Sequence, residues 1–174
     1  RDEVVRKCRK WLKAKFLPCY GEWFYGRSGG VEPSVVVEKY IESDGDSGLD
    51  DYKVFVMNGK AVLTLVCTGR TANAHYEDCY DMDWNLIEGC DMGEERSSKA
   101  IPKPACFDEM IDAAEKLAAP FDHARVDFYI TGEGSPKLVF GEITFTSGSG
   151  FDRFHPRTFD EWLGEKLVLR KQNT

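Results

Sequence analysis

Residues 125–146 constrain this chain most. Two alternating runs, 125–131 and 137–146, flank the turn formers Gly132, Gly134, Ser135 and Pro136. That pattern predicts a β-hairpin with a longer loop. Alternate side chains of a strand share a face. Arg125, Asp127 and Tyr129 therefore lie together, and Val126, Phe128 and Ile130 take the other side. On the second strand Glu142, Thr144 and Thr146 oppose Val139, Gly141, Ile143 and Phe145. A loop of even length sets Asp127 across from Glu142 and Arg125 across from Thr144; an odd loop breaks that match. Two carboxylates directly opposite on paired strands repel each other. A hard divalent cation held by oxygen ligands relieves the repulsion, and so does Arg125 if it neutralises both acids on a solvated face. On the repulsion alone, replacing either acid with alanine should leave stability unchanged or slightly raised.

The rest of the chain supplies a setting for this hairpin. Its 174 residues suit one domain with a real core. A net charge of −7 argues against coating nucleic acid, and no nucleic-acid partner is expected. No apolar run reaches the length of a membrane span. Cys8, Cys19, Cys67, Cys79, Cys90 and Cys106 form no Cys-x-x-Cys pair, which disfavours a zinc ribbon and a dense disulfide framework. A reducing cytoplasm fits that usage. His75, His123 and His155 share no metal-like spacing. There is no nucleophile elbow, so covalent catalysis is disfavoured.

Taken in order, residues 2–16 predict a helix capped by Asp2, with Val4, Val5, Cys8, Trp11, Leu12 and Phe16 as its apolar stripe. Pro18 and Gly21 end it. Gly26, Gly29 and Gly30 flank Arg27 and Ser28, but no helix start follows to make a phosphate cradle. Residues 34–41 predict a strand buried on both faces, because Val35, Val36 and Val37 run continuously. Asp44, Asp46 and Asp50 do not meet the spacing of a calcium loop. Residues 52–57 and 60–68 form the clearest hairpin, joined by Asn58 and Gly59 in a type I′ turn. Counting outward from that turn sets Lys53 opposite Thr64 and leaves Arg70 beyond the pairing. Residues 71–104 read as irregular, with a short strand over 80–85. Residues 107–119 and 159–168 predict two more helices.

Four segments together resemble the ATP-grasp superfamily: residues 37–41, then Asp51 and Lys53 with the hairpin reaching Arg70, then 125–127, then 141–144. Residues 80–85 and 141–145 resemble, more narrowly, the TupA-like branch linked to bacterial polysaccharide and teichuronopeptide synthesis. The resemblance spans about residues 11–169 and implies ATP and Mg2+ as cofactors. It implies that Glu38 and the backbone of Lys39 and Ile41 meet the adenine edge and that Asp51 takes the ribose. Lys53 and Arg70 would face phosphates or an acyl phosphate. Asp127 and Glu142, with Thr144, would hold magnesium, and Arg125 would steady the transferring group. Many ATP-grasp enzymes carry asparagine at the position of Thr144. The phosphate-binding lysine and glycine-rich loop of the preceding subdomain are not found before residue 17.

These readings give an α+β fold, an antiparallel sheet with helices packed on one side, matching the carboxy-terminal ATP-grasp subdomain. Residues 1–17 would be a helix left from the preceding subdomain and 18–174 the subdomain itself. The implied reaction is ATP-dependent carboxylate–amine ligation through an acyl phosphate, on small-molecule or glycan-linked carboxylates and amines. The backbone amides of residues 147–150 offer a carboxylate or oxyanion site. A glycosyltransferase of polysaccharide synthesis and a non-catalytic remnant of an ATP-grasp enzyme are the alternatives.

Overall fold

The computed structural model describes residues 1–14, 32–43, 48–71, 74–97, 99–132 and 134–170, with the side chains of Arg70, Thr71, Ala74 and Ser149 excepted. The expectations for the glycines at 26, 29 and 30, for Phe16 and for Asp44 and Asp46 lie outside these residues. The chain forms two compact units, one of residues 1–41 with 148–151 and one of residues 42–147 with 152–174.

In the first unit, α1 spans Asp2–Trp11. Asp2 is not its cap; it sits in the first turn, with Arg9 and Lys10 in the last, so both ends complement the helix dipole. The predicted stripe is not buried within this unit: Val4 is 64% and Trp11 56% exposed. Residues 34–41 form no strand. Val36 and Val37 are 78% and 89% exposed, and no described strand pairs with them. A β-branched run becomes a strand only where a neighbour accepts its ladder and packs its side chains.

The second unit is built on one antiparallel sheet. Its strands are β1 (Asp51–Met57), β2 (Lys60–Thr71), β3 (Ala74–Tyr80), β4 (His123–Thr131) and β5 (Lys137–Thr144), in the order β3-β2-β1-β4-β5. Asn58 and Gly59 have φ of 50° and 79°, the left-handed pair that a type I′ turn demands. Beyond this turn a bulge between Val56 and Phe55 shifts the register. Lys53 consequently faces Leu65, not Thr64, and Thr64 faces Val54. Arg70 lies within β2 but, as counted, beyond the last pair with β1, Asp51 with Cys67.

The strand β3 was expected to be irregular. His75, Glu77 and Cys79 alternate with Tyr76, Asp78 and Tyr80, a pattern poor in β-branched residues that β2 nonetheless pairs from Thr64 to Thr68. Only Tyr80 of the short strand expected over 80–85 is a strand residue. After it the chain turns, with the Asp81 carboxylate accepting the backbone N–H groups of Asp83 and Asn85. Trp84 is then stacked on Tyr80 at 4.4 Å and packs edge-on against Phe107 at 4.9 Å.

Helix α2 (Phe107–Ala118) packs on one face of the sheet. Its Phe107, Met110, Ala114 and Ala118 meet Val54, Val56, Val66, Val126 and Phe128. The opposite face carries a second cluster, where Leu163 of α3 (Arg157–Glu165) joins Phe55, Leu63, Leu65 and Phe154. The rest of that face is polar. Among the described residues no helix is long and apolar enough to cross a membrane.

Candidate functional site

Three rows of side chains cross the face opposite α2. One runs Glu142, Asp127, Lys53, Leu65, Cys79 over all five strands. The next runs Tyr129, Asp51, Cys67, Glu77, and the third Thr144, Arg125, Phe55, Leu63. Polar residues fill the β5–β4–β1 side of the rows and apolar ones the β1–β2 side.

The loop between β4 and β5 has five residues, 132–136. An odd loop alone would send Glu142 to the helix-packed face. A bulge between Phe128 and Asp127 reverses that: Phe128 pairs with Phe140, Asp127 with Glu142 and Arg125 with Thr144. Gly141 is the extra residue. A Cβ there would lie 3.0 Å from the Asp127 carbonyl oxygen and 3.1 Å from Tyr129 Cε2, so only glycine lets the strand approach so closely. On the turn side of the bulge the odd loop itself sets Val139 on the site face, opposite Tyr129, and Phe140 on the other.

The facing acids are compensated by two cations. Arg125 grips Asp127 with two bonds, Nε to Oδ1 at 2.7 Å and Nη2 to Oδ2 at 2.8 Å. Its Nη2 also donates to Glu142 Oε1 at 2.9 Å and to Thr144 Oγ1 at 3.3 Å. The Thr144 hydroxyl donates to Glu142 Oε1 at 2.7 Å. Lys53 Nζ donates to Asp127 Oδ2 and Asp51 Oδ2, each at 2.7 Å. Burial pulls the Lys53 ammonium down, but hydrogen bonds and charge from Asp127 and Asp51 outweigh it and leave its pKa above the ordinary lysine value. Arg125 shows the same balance: burial opposes its charge, and Asp127, Glu142 and Asp51 more than restore it.

For Asp127 this network overturns the expectation that removing either acid is harmless. Asp127 is 2% exposed and is shared by two largely buried cations, so its loss removes one of two acids from each, leaving Lys53 with Asp51 and Arg125 with Glu142. Glu142 is 61% exposed and resembles a surface partner.

The structure thus gathers Asp51, Lys53, Arg125, Asp127, Glu142 and Thr144. Glu38, Lys39 and Ile41 belong to the first unit, where Glu38 and Lys39 are exposed and Ile41 half-buried. The Arg70 side chain lies outside the described residues. The donor set fits magnesium: hard oxygens from two carboxylates and a hydroxyl converge on Arg125, and the Glu142 side chain is 61% exposed.

Two neighbours on the same face escaped the sequence reading. Glu77 is pushed up chiefly by burial, and the Cys67 thiol beside it is pushed up to about 12 by burial and by Glu77. Cys67 lies in a strand that the sequence does predict, but alternation in 75–79 is the only signal for Glu77, and it is weak without β-branched residues.

An antiparallel sheet whose paired acids hold a lysine and an arginine on one face agrees with the resemblance to ATP-grasp proteins, a class that generally uses ATP and magnesium. A family model described as TupA-like ATP-grasp matches residues 4–168, and the chain belongs to that family. Searches of curated proteins and of solved structures return no significant match.

Proposed function

We propose that the protein is an ATP- and magnesium-dependent carboxylate–amine ligase working through an acyl phosphate. Its setting would be the cytoplasmic steps of bacterial cell-surface polysaccharide or teichuronopeptide synthesis. The observation that supports this reading is the pairing of Asp127 with Glu142 while Arg125 and Lys53 are held on the same acids.

Asp127 and Glu142, with the Thr144 hydroxyl, would hold magnesium, which when bound supplies charge neutralisation at the phosphates. Lys53 and Arg125 are kept charged and close by, each resting on acids that it can exchange for phosphate oxygens. The planar Arg125 fork suits two oxygens of a transferring phosphoryl group, and Lys53 acts as a point charge. Transfer of this kind requires positioning and charge stabilisation more than covalent chemistry. That demand agrees with a face made of Asp, Glu, Lys and Arg. The resemblance extends the reading to Asp51 for the ribose, Glu38, Lys39 and Ile41 for the adenine edge, and Arg70 for the acyl phosphate.

Incubating the protein with ATP, magnesium and mixed carboxylates and amines tests this. ADP release should require both an acid and an amine, and Glu142→Gln should lower it by about 100-fold or more while the protein stays folded. UDP release from a UDP-sugar, without ADP, would replace ligation with glycosyl transfer.

A further inference from the structure

Beside the acidic row, three metal-ligating side chains meet on β2 and β3. Cys67 and Glu77 are direct partners across the ladder, and His75 precedes Glu77 by two residues on the same face. The Cys67 thiol donates to Glu77 Oε1 across 3.6 Å, and His75 Nε2 lies 3.7 Å from the same oxygen. All three ligand atoms fall within 4.8 Å of one another.

The His75–Glu77 separation is too long for a hydrogen bond. Moreover, His75 Nε2 is buried with no hydrogen-bond partner among the described residues. A shared ion would give His75 Nε2 the partner it lacks and would replace the thiol hydrogen bond of Cys67. Zinc at its usual distances from sulfur, nitrogen and oxygen sets neighbouring tetrahedral ligands about 3.3–3.6 Å apart. The Cys67–Glu77 separation is at that length, and the His75–Glu77 separation slightly beyond it. A thiolate and an imidazole select against magnesium and for a borderline-soft ion. Cys67 is buried, the Glu77 side chain is 12% exposed and the His75 side chain 39% exposed, so an ion can enter from the solvent side at His75. Asp51, the partner of Cys67 on β1, is held by Lys53.

We infer that Cys67, His75 and Glu77 form a metal site separate from the acidic row, for one divalent ion of the zinc class with a fourth position open to water. Binding replaces the Cys67 thiol proton with the metal, and the proton leaves to solvent. Three protein ligands and an open position are the arrangement of a zinc ion that can act on a ligand.

Zinc and cobalt(II) added to the reduced protein test the site. One equivalent of zinc should bind, and cobalt should show a thiolate-to-metal charge-transfer band with tetrahedral visible absorption. Cys67→Ser should remove the band. His75→Ala, a change at a part-exposed ring, should weaken zinc binding by at least about tenfold. Glu142→Gln should bind zinc as the parent does. Absence of stoichiometric binding, a full-strength band in Cys67→Ser, unchanged affinity in His75→Ala, or loss of binding in Glu142→Gln would each overturn the inference. If Cys67→Ser does not fold, X-ray absorption of the zinc-loaded parent decides. One sulfur with nitrogen or oxygen ligands supports the site; no sulfur, or two or more, overturns it.

Discussion

The β1–β2 hairpin turns on two residues and the β4–β5 hairpin on five, yet each carries one bulge a few residues in from its turn. In the first, the turn is plain in the sequence and the bulge displaces the register that the turn dictates. In the second, the loop gives the wrong parity and the bulge restores the pairing of Asp127 with Glu142. A turn fixes only the pairs next to it. The residue that decides which side chains reach the site lies further along the strand, where a bulge exchanges the faces beyond it.

The two hairpins meet where β1 lies against β4, and Asp127 is the acid they share. Asp127→Ala should give the largest effect. It leaves Lys53 from one hairpin and Arg125 from the other largely buried without their common partner, which should cost about 3–5 kcal/mol in urea unfolding. A loss below about 1 kcal/mol would mean that the hairpins are not joined through this acid.

Gly141→Val attacks the second bulge directly. The branched side chain would strike the Asp127 carbonyl and the Tyr129 ring, and relief requires the strand to move. A destabilisation of about 1–3 kcal/mol is expected, together with loss of magnesium-dependent ATP turnover as Glu142 leaves its place. Wild-type melting and turnover would show that the bulge tolerates a side chain.

The smallest effect sharpens the first hairpin. The bulge there puts Thr64 wholly inside the α2-packed face, with its hydroxyl lacking a hydrogen-bond partner among the described residues. Thr64→Val should therefore raise stability by about 1 kcal/mol, read as a higher denaturation midpoint. A loss of stability would favour the register counted from the turn, in which Thr64 faces Lys53.

Much of this was legible because local chemistry and fold agree. Asn58 with Gly59 demands a tight hairpin, and the stripe of Phe107, Met110 and Ala114 demands a buried helix face. Alternation sets Arg125 with Asp127 on one face of their strand and Glu142 with Thr144 on one face of theirs, and the resemblance supplied their roles. What failed depends on neighbours. Val35, Val36 and Val37 suit a strand but find no partner among the described residues. His75, Glu77 and Cys79 do not look like a strand, and β2 makes them one. Neither bulge has a marker beyond Gly141, since Val62 in β2 is an ordinary strand residue. The cation bridge was foreseen only in part: Arg125 was considered as the neutraliser, whereas Lys53 comes from a strand whose neighbour in the sheet is far away in sequence.

That distance has a consequence for how the chain is made. On a ribosome β1, β2 and β3 emerge in succession and can form their meander at once, but the other edge of β1 waits for β4. About 65 residues separate the two strands, so at ~5–20 residues per second the edge stays open for roughly 3–13 s. During that interval the apolar side chains of Val54, Phe55 and Val56 flank unpaired backbone groups, the condition under which nascent chains stick to one another. Lys53 sits on that same edge, and until Asp127 arrives its charge is a guard against such pairing.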